Sequence, residues 1–294
     1  MTAHGPALFG FAQVEVPWQL GPEDGRYVLR PDGEPDAPVT QVIVLATLGA
    51  PERRRFGARR PRDAAPDPEP TPVTTGRATI VSSAAPLPDR ATAQAWLRGA
   101  GEEDLATGLL ALNRMLTAFR RVAADPYAVT VGRHQLIAAR IGYGAGEQVA
   151  DGRWEQARAL PSPDRSRRRA RVLAPQARLA AALGARQTTL VCEELTLRAR
   201  LDLDQDRPRE ASLQLLVTLD AAVAELGREP EALGLSERVA ELRERRALVA
   251  VAAQAALGAV PSPEQLELVR STVERLEAAL RARAIALGRD PAPR

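Results

Sequence analysis

Leu195-Thr-Leu-Arg-Ala-Arg-Leu201, the break Asp202-Leu-Asp-Gln-Asp206-Arg-Pro208 and the run Ala211-Ser-Leu-Gln-Leu-Leu-Val-Thr-Leu219 decide the fold of the second half of this chain. Apolar side chains recur at three- and four-residue steps on both sides of the break, which puts them on one face of each of two helices. A short polar turn between two such helices makes them antiparallel neighbours. The hairpin so defined runs from about Pro175 to Leu226 and holds Cys192-Glu193-Glu194 in its first helix.

Beyond the hairpin the helical pattern continues. Ser236 to Leu257 is rich in Ala, Leu and Val, and Gly258-Ala-Val-Pro261 breaks it. Ser262-Pro263-Glu-Gln265 then starts a last helix: Ser262 caps, Pro263 takes the first position and Gln265 closes a capping box. Its stripe of Leu266, Val269, Val273, Leu276, Leu280, Ala284 and Leu287 fits a bundle seam or, equally, a homodimer contact.

The other end of the chain reads as strands. Phe9–Val16, Arg26–Arg30 and Gln41–Ala46 are short β-rich runs separated by Gly21-Pro-Glu-Asp-Gly25 and Pro31-Asp-Gly-Glu-Pro35, and Ala78–Ser82 is a fourth. Asp89 caps a short helix that takes in Trp96 and ends at Gly99. Glu102 to Ala124 predicts a helix with Leu105, Leu109, Leu112, Leu116 and Phe119 on one face. A second helix is expected from Tyr127 through Val131, Leu136, Ile137 and Ile141, and a short one at Asp151–Ala157.

The expected class is therefore α+β, a small N-terminal antiparallel sheet followed by a predominantly helical bundle of antiparallel hairpins. Its parts are a β-rich region over 1–100 with a Pro/Arg-rich insertion near 51–75, a helical region over 101–160, a Pro/Arg-rich linker over 161–174 and the bundle over 175–294. Only 3% of the 294 residues are aromatic, so the core is built from Leu, Val and Ala, which favours helix packing.

Composition also narrows function. All 40 basic residues are arginine, and the net charge is only +3. Arg53, Arg54, Arg55, Arg59, Arg60 and Arg62 form one run without an acid; Arg165, Arg167, Arg168, Arg169 and Arg171 form another. Taking those 11 from 40 leaves 29 arginines against 37 acidic residues, so basicity belongs to two segments. Flexible basic arms neutralise phosphates or acidic surfaces, and this makes the two runs the candidate nucleic-acid contacts. No interleaved aromatics support them beyond Phe56.

Catalytic and cofactor patterns fail on inspection. The single Cys192 excludes an intramolecular disulfide and sits among apolar neighbours without a base. His4 and His134 are far apart with no cysteine at ligand spacing. Asp202, Asp204 and Asp206 have the start of a calcium-loop spacing, but Arg207 and Leu213 stand where glycine and a bidentate acid belong. These acids read instead as a solvated helix end and a cap for the next helix.

Gly142-Tyr-Gly-Ala-Gly146 lacks the third dinucleotide glycine, and the chain has no lysine for a phosphate loop. Asp151–Ala157 and Asp206-Arg-Pro-Arg-Glu-Ala211 resemble the turn and second-helix start of tetratricopeptide hairpins, but no period of about 34 residues runs through the chain. Val42–Ala50 and Ala247–Val260 fall short of the ~20 apolar residues of a membrane helix, and the N-terminus carries no signal-peptide pattern.

The expectation is a cytoplasmic, non-enzymatic interaction or scaffold protein. It needs no metal or cofactor, its protein partner is unknown, and homodimerisation through the last helix is open. The alternative is nucleic-acid or acidic-partner binding through the arginine runs. An enzyme site assembled from dispersed residues, near Glu147, Gln148 and Arg153, is a third reading.

Overall fold

The computed structural model describes residues 7–31, 34–49, 73–161, 175–184 and 188–289. Both arginine runs lie outside them. The chain divides into two compact units, residues 1–164 and 165–294.

The first unit is organised around β1 (Phe9–Val16), whose alternating side chains divide between two faces of a sheet. With β2 (Gly25–Leu29), β3 (Gln41–Leu48), β4 (Thr75–Ser82), β5 (Ala138–Gly144) and β6 (Gln156–Ala159) it forms a six-stranded sheet in the order β2-β3-β4-β1-β5-β6. Every neighbouring pair is antiparallel.

One face carries Ala12, Val14, Val16, Ile43, Leu45, Ile80, Ile141 and Tyr143 and is buried with α1 (Arg90–Gly99) and α2 (Glu102–Val122). Asp89 caps α1 as expected, accepting the Thr92 N–H at 2.7 Å. Leu105, Leu109, Leu112 and Leu116 of α2 are all buried. Gly108 lets α2 touch the sheet, since a Cβ there would meet the Ala12 Cβ at 2.9 Å.

Residues 101–160 depart from the expected helical region. Past α2 they hold two strands and two short 3-10 turns, and these strands complete the sheet. The expected helix from Tyr127 is corrected to β5, because Ala139, Ile141 and Tyr143 enter the helix-covered core at period two. Asp151–Ala157, expected as a short helix, is the end of a 3-10 turn leading into β6.

The second unit opens with α3 (Pro175–Leu183), a separate short helix, so the hairpin itself starts later than expected, at α4 (Val191–Asp204). α5 (Pro208–Leu226), α6 (Ser236–Gly258) and α7 (Pro263–Arg289) follow. Side-chain contacts fix the directions. Cys192 at the start of α4 meets Glu225 at the end of α5. Arg209 at the start of α5 donates to the carbonyls of Ala256 and Leu257 at the end of α6, at 2.7 and 2.8 Å. Glu241 and Arg275 pair at 3.2 Å between α6 and α7, and Arg200 and Glu277 at 2.8 Å between α4 and α7. The result is an up-down-up-down four-helix bundle.

Leu215, Leu219, Leu242, Val249, Val269, Val273 and Leu276 fill its core. The buried hydroxyls of Thr196, Ser212, Thr218 and Thr272 each donate to a carbonyl one turn back, at 2.6–2.8 Å, so small polar residues sit at helix contacts without an unmet bond. The last-helix stripe is thus the bundle seam. The capping box forms, Ser262 N–H donating to Gln265 Oε1 at 2.8 Å and Gln265 N–H to Ser262 Oγ at 3.3 Å.

Candidate functional site

The sheet face turned away from α1 and α2 divides into an apolar half and a polar half. On the apolar half Phe11, Val42 and Val81 are covered by Val149 and Trp154 of the segment after β5. Here the Gly142–Gly146 run finds its explanation. A Cβ on Gly142 would meet Gln156 O at 2.5 Å and Phe11 Cζ at 2.7 Å; on Gly144 it would meet Val149 Cγ1 at 2.6 Å. The glycines admit the covering segment, and the 3-10 turn after them is too short to present a helix terminus to a phosphate. Glu147, one of the dispersed-site residues, holds that segment across the sheet by pairing with Arg26 of β2 at 2.5–2.6 Å.

The polar half is a chain of hydrogen bonds between side chains that the register sets opposite one another. Glu15 faces Arg77 across β1 and β4, and Gln13 faces Arg140 across β1 and β5. Arg77 donates to Glu15 Oε1 from Nε at 3.1 Å and Nη2 at 2.9 Å. Arg140 Nη1 donates to the same oxygen at 3.1 Å and to Gln13 Oε1 at 2.9 Å. Gln13 Nε2 donates to Thr79 Oγ1 at 2.9 Å.

Gln13 and Thr79 are fully buried, while the Arg77 and Arg140 side chains keep 26% and 33% of their surface. Burial opposes ionisation of Glu15, but hydrogen bonds and charge from Arg140 and Arg77 outweigh it and hold the carboxyl below the usual range. Arg26, Glu15, Arg77 and Arg140 were not singled out by sequence; the signal was the alternation of Arg140 with Ala139 and Ile141, and of Glu15 with Val14 and Val16.

The second unit carries its own buried charges. Glu225 accepts the N–H groups of Val191 and Cys192 at 3.1 and 2.9 Å, capping α4 from the far end of α5. Arg283 of α7, almost fully buried, donates to Glu229 at 2.6 Å, to Glu193 at 3.4 Å and to the Thr188 carbonyl at 3.2 Å. Burial first, then its contact with the Glu225 carboxylate, pushes the Cys192 thiol up, so it is a protonated core residue.

The reading of the aspartates at the end of α4 is corrected too. Asp202 pairs with Arg207 at 2.7 Å with both side chains largely covered, and α5 begins after Arg207 with no side-chain cap. Asp206 occupies the turn with φ 51°.

Among the described residues no group of three or more His, Cys, Asp or Glu side chains could hold a metal, and His134 is exposed. The candidate residues Arg53, Arg54, Arg55, Arg59, Arg60, Arg165, Arg167, Arg168, Arg169 and Arg171 lie outside the described residues. The chain matches no family model, no curated protein and no solved structure.

Proposed function

We propose that this chain is a non-enzymatic interaction or scaffold protein whose bundle docks a protein partner. The observation that carries the reading is on the outer faces of three helices. α4 exposes Leu197 and Leu201, α5 exposes Leu213 and Val217, and α6 exposes Leu248 and Val251, each pair one helical turn apart. Paired apolar side chains on successive turns are the anchor pattern of helix-mediated recognition. The last-helix stripe is occupied inside the bundle, so a homodimer would use these outer pairs instead. The buried Cys192 thiol supports the non-enzymatic side of the reading.

A photoreactive residue at position 217 or 251 should give a discrete adduct, with a second copy or with a partner protein. Adducts at neither position, combined with a solution mass of one chain, would overturn the proposal. The reading carries a cytoplasmic location, which cell fractionation tests. No helix among the described residues is long and apolar enough to cross a membrane.

The second reading is nucleic-acid or acidic-partner association through the two arginine runs, favoured by 11 arginines in two runs, neither of which contains an acid. Replacing Arg53, Arg54, Arg55, Arg59 and Arg60 with Gln should weaken nucleic-acid binding and flatten its dependence on salt. Unchanged binding would remove it.

A further inference from the structure

We propose that Arg77 and Arg140 form a carboxylate-binding site on the open face of the sheet, matched to an acidic side chain of a protein partner. The inference rests on the interaction reading above and gives the sheet unit a partner chemistry of its own.

Three N–H groups from two guanidiniums converge on one oxygen, Glu15 Oε1, at 2.9–3.1 Å. Two positive charges therefore share one negative charge, and the cluster keeps a surplus of +1. Arg26, the other arginine of this face, is already paired with Glu147. Arg77 Nη1 and Arg140 Nε and Nη2 make no hydrogen bond among the described residues, and both side chains remain partly open to solvent. An arginine fork with free N–H groups pairs best with a planar carboxylate.

The site is also held in place before any ligand arrives. Arg140 is fixed by Gln13, Gln13 by Thr79, and the last two are sealed in the sheet with their hydrogen bonds made. Placing a buried amide under an arginine costs free energy unless each bond is formed, and here each is. The side chains need little reordering to receive an anion.

Charge selects the class of anion. A surplus of one positive charge balances one carboxylate, whereas a phosphate monoester brings roughly −1.5 to −2. A nucleic-acid strand needs cations repeated along its backbone. The flanking positions on this face are Val44, Ala46 and Ala138, which suit the apolar neighbours of an acidic residue in a peptide.

The test uses the full chain with both arginine runs changed to Gln, so that those residues contribute nothing. A peptide of sequence Ala-Ala-Glu-Ala-Ala, acetylated and amidated so that it carries one carboxylate, is titrated while the Nε–Hε signals of Arg77 and Arg140 are followed by NMR. Both signals should move. Arg140→Gln should weaken binding about tenfold, the loss of a charge-assisted hydrogen bond, and Glu15→Gln should tighten it by freeing a second guanidinium edge.

Static arginine signals in the parent protein would overturn the site whether or not the variants fold. Displacement of the peptide by equimolar inorganic phosphate or by a single-stranded oligonucleotide would overturn the carboxylate assignment. Failure of the bundle proposal shows separately, as missing adducts at positions 217 and 251.

Discussion

The two units balance their buried charge differently. In the sheet, two arginines share the single carboxylate of Glu15 and stay a quarter to a third exposed; in the bundle, Arg283, its side chain 4% exposed, joins Glu193 and Glu229, and Arg178 adds a second contact to Glu193 at 3.9 Å. In the sealed cluster all three nitrogens of Arg283 are committed, and they tie the start of α4, the Thr188 carbonyl and the segment after α5 to α7. The open cluster leaves donors over. Burial and spare hydrogen-bonding capacity together separate a charge cluster that braces a fold from one that can also meet a ligand.

The comparison predicts a ranking of effects. Arg283→Leu should be the most damaging, at about 3–5 kcal/mol, because it strands the covered Glu229 carboxylate and leaves Glu193 with only Arg178 and the Leu190 N–H. Circular dichroism at 222 nm in a urea titration reads it. Trp18, Trp96 and Trp154 all lie in the sheet unit, so their fluorescence reports that unit separately.

Gly142→Ala should follow at about 1–3 kcal/mol, since the added methyl overlaps backbone and the Phe11 ring. Glu15→Gln should cost the sheet about 1–2 kcal/mol by leaving a guanidinium unmatched; a cost equal to that of Arg283→Leu would erase the distinction between the clusters. At the bottom, Glu194→Ala breaks the exposed pair with Arg198 and should shift stability by only about 0.3–0.5 kcal/mol.

Acid sharpens the contrast further. Glu15 and Glu225 both have carboxyls held below the usual range, against burial in each case. A depressed folded-state pKa contributes stability above the unfolded value of ~4.3 and loses it as pH falls through the folded value. Both units should therefore weaken below about pH 4. Raising the pH from 5 to 8 should leave these two contributions unchanged, which a series of urea midpoints can check.

The bundle was legible because its signals are local. Leucine spacing, the break that ends at Pro208, Pro263 at a helix start and the Ser262–Gln265 box each act within a few residues, and the structure has the break, the helix start and the box there. The first four strands were legible from β-branched runs and turn residues. β5 was not, because Val131, Leu136, Ile137 and Ile141 imitate a helical stripe while the strand's open face carries only Ala138, Arg140, Gly142 and Gly144. Reading Gly142 and Gly144 as room for Phe11 and Val149 requires knowing that a strand and its covering segment meet there. The arginine cluster was hidden for the same reason: Glu15, Arg77 and Arg140 become neighbours only through strand register.

The position of β1 has a consequence for the order of events in biosynthesis. β1 is made before the other strands of its sheet yet lies in the sheet's interior, and its two partners end at residues 82 and 144. One edge of it stays unpaired until β4 is complete at residue 82, and the other until β5 is complete at residue 144. The helices after residue 190 each find their neighbour as soon as it is synthesised, so the C-terminal unit should acquire structure quickly once released. Refolding from urea should show the same division of time, an early rise in helical signal and a later change in tryptophan emission.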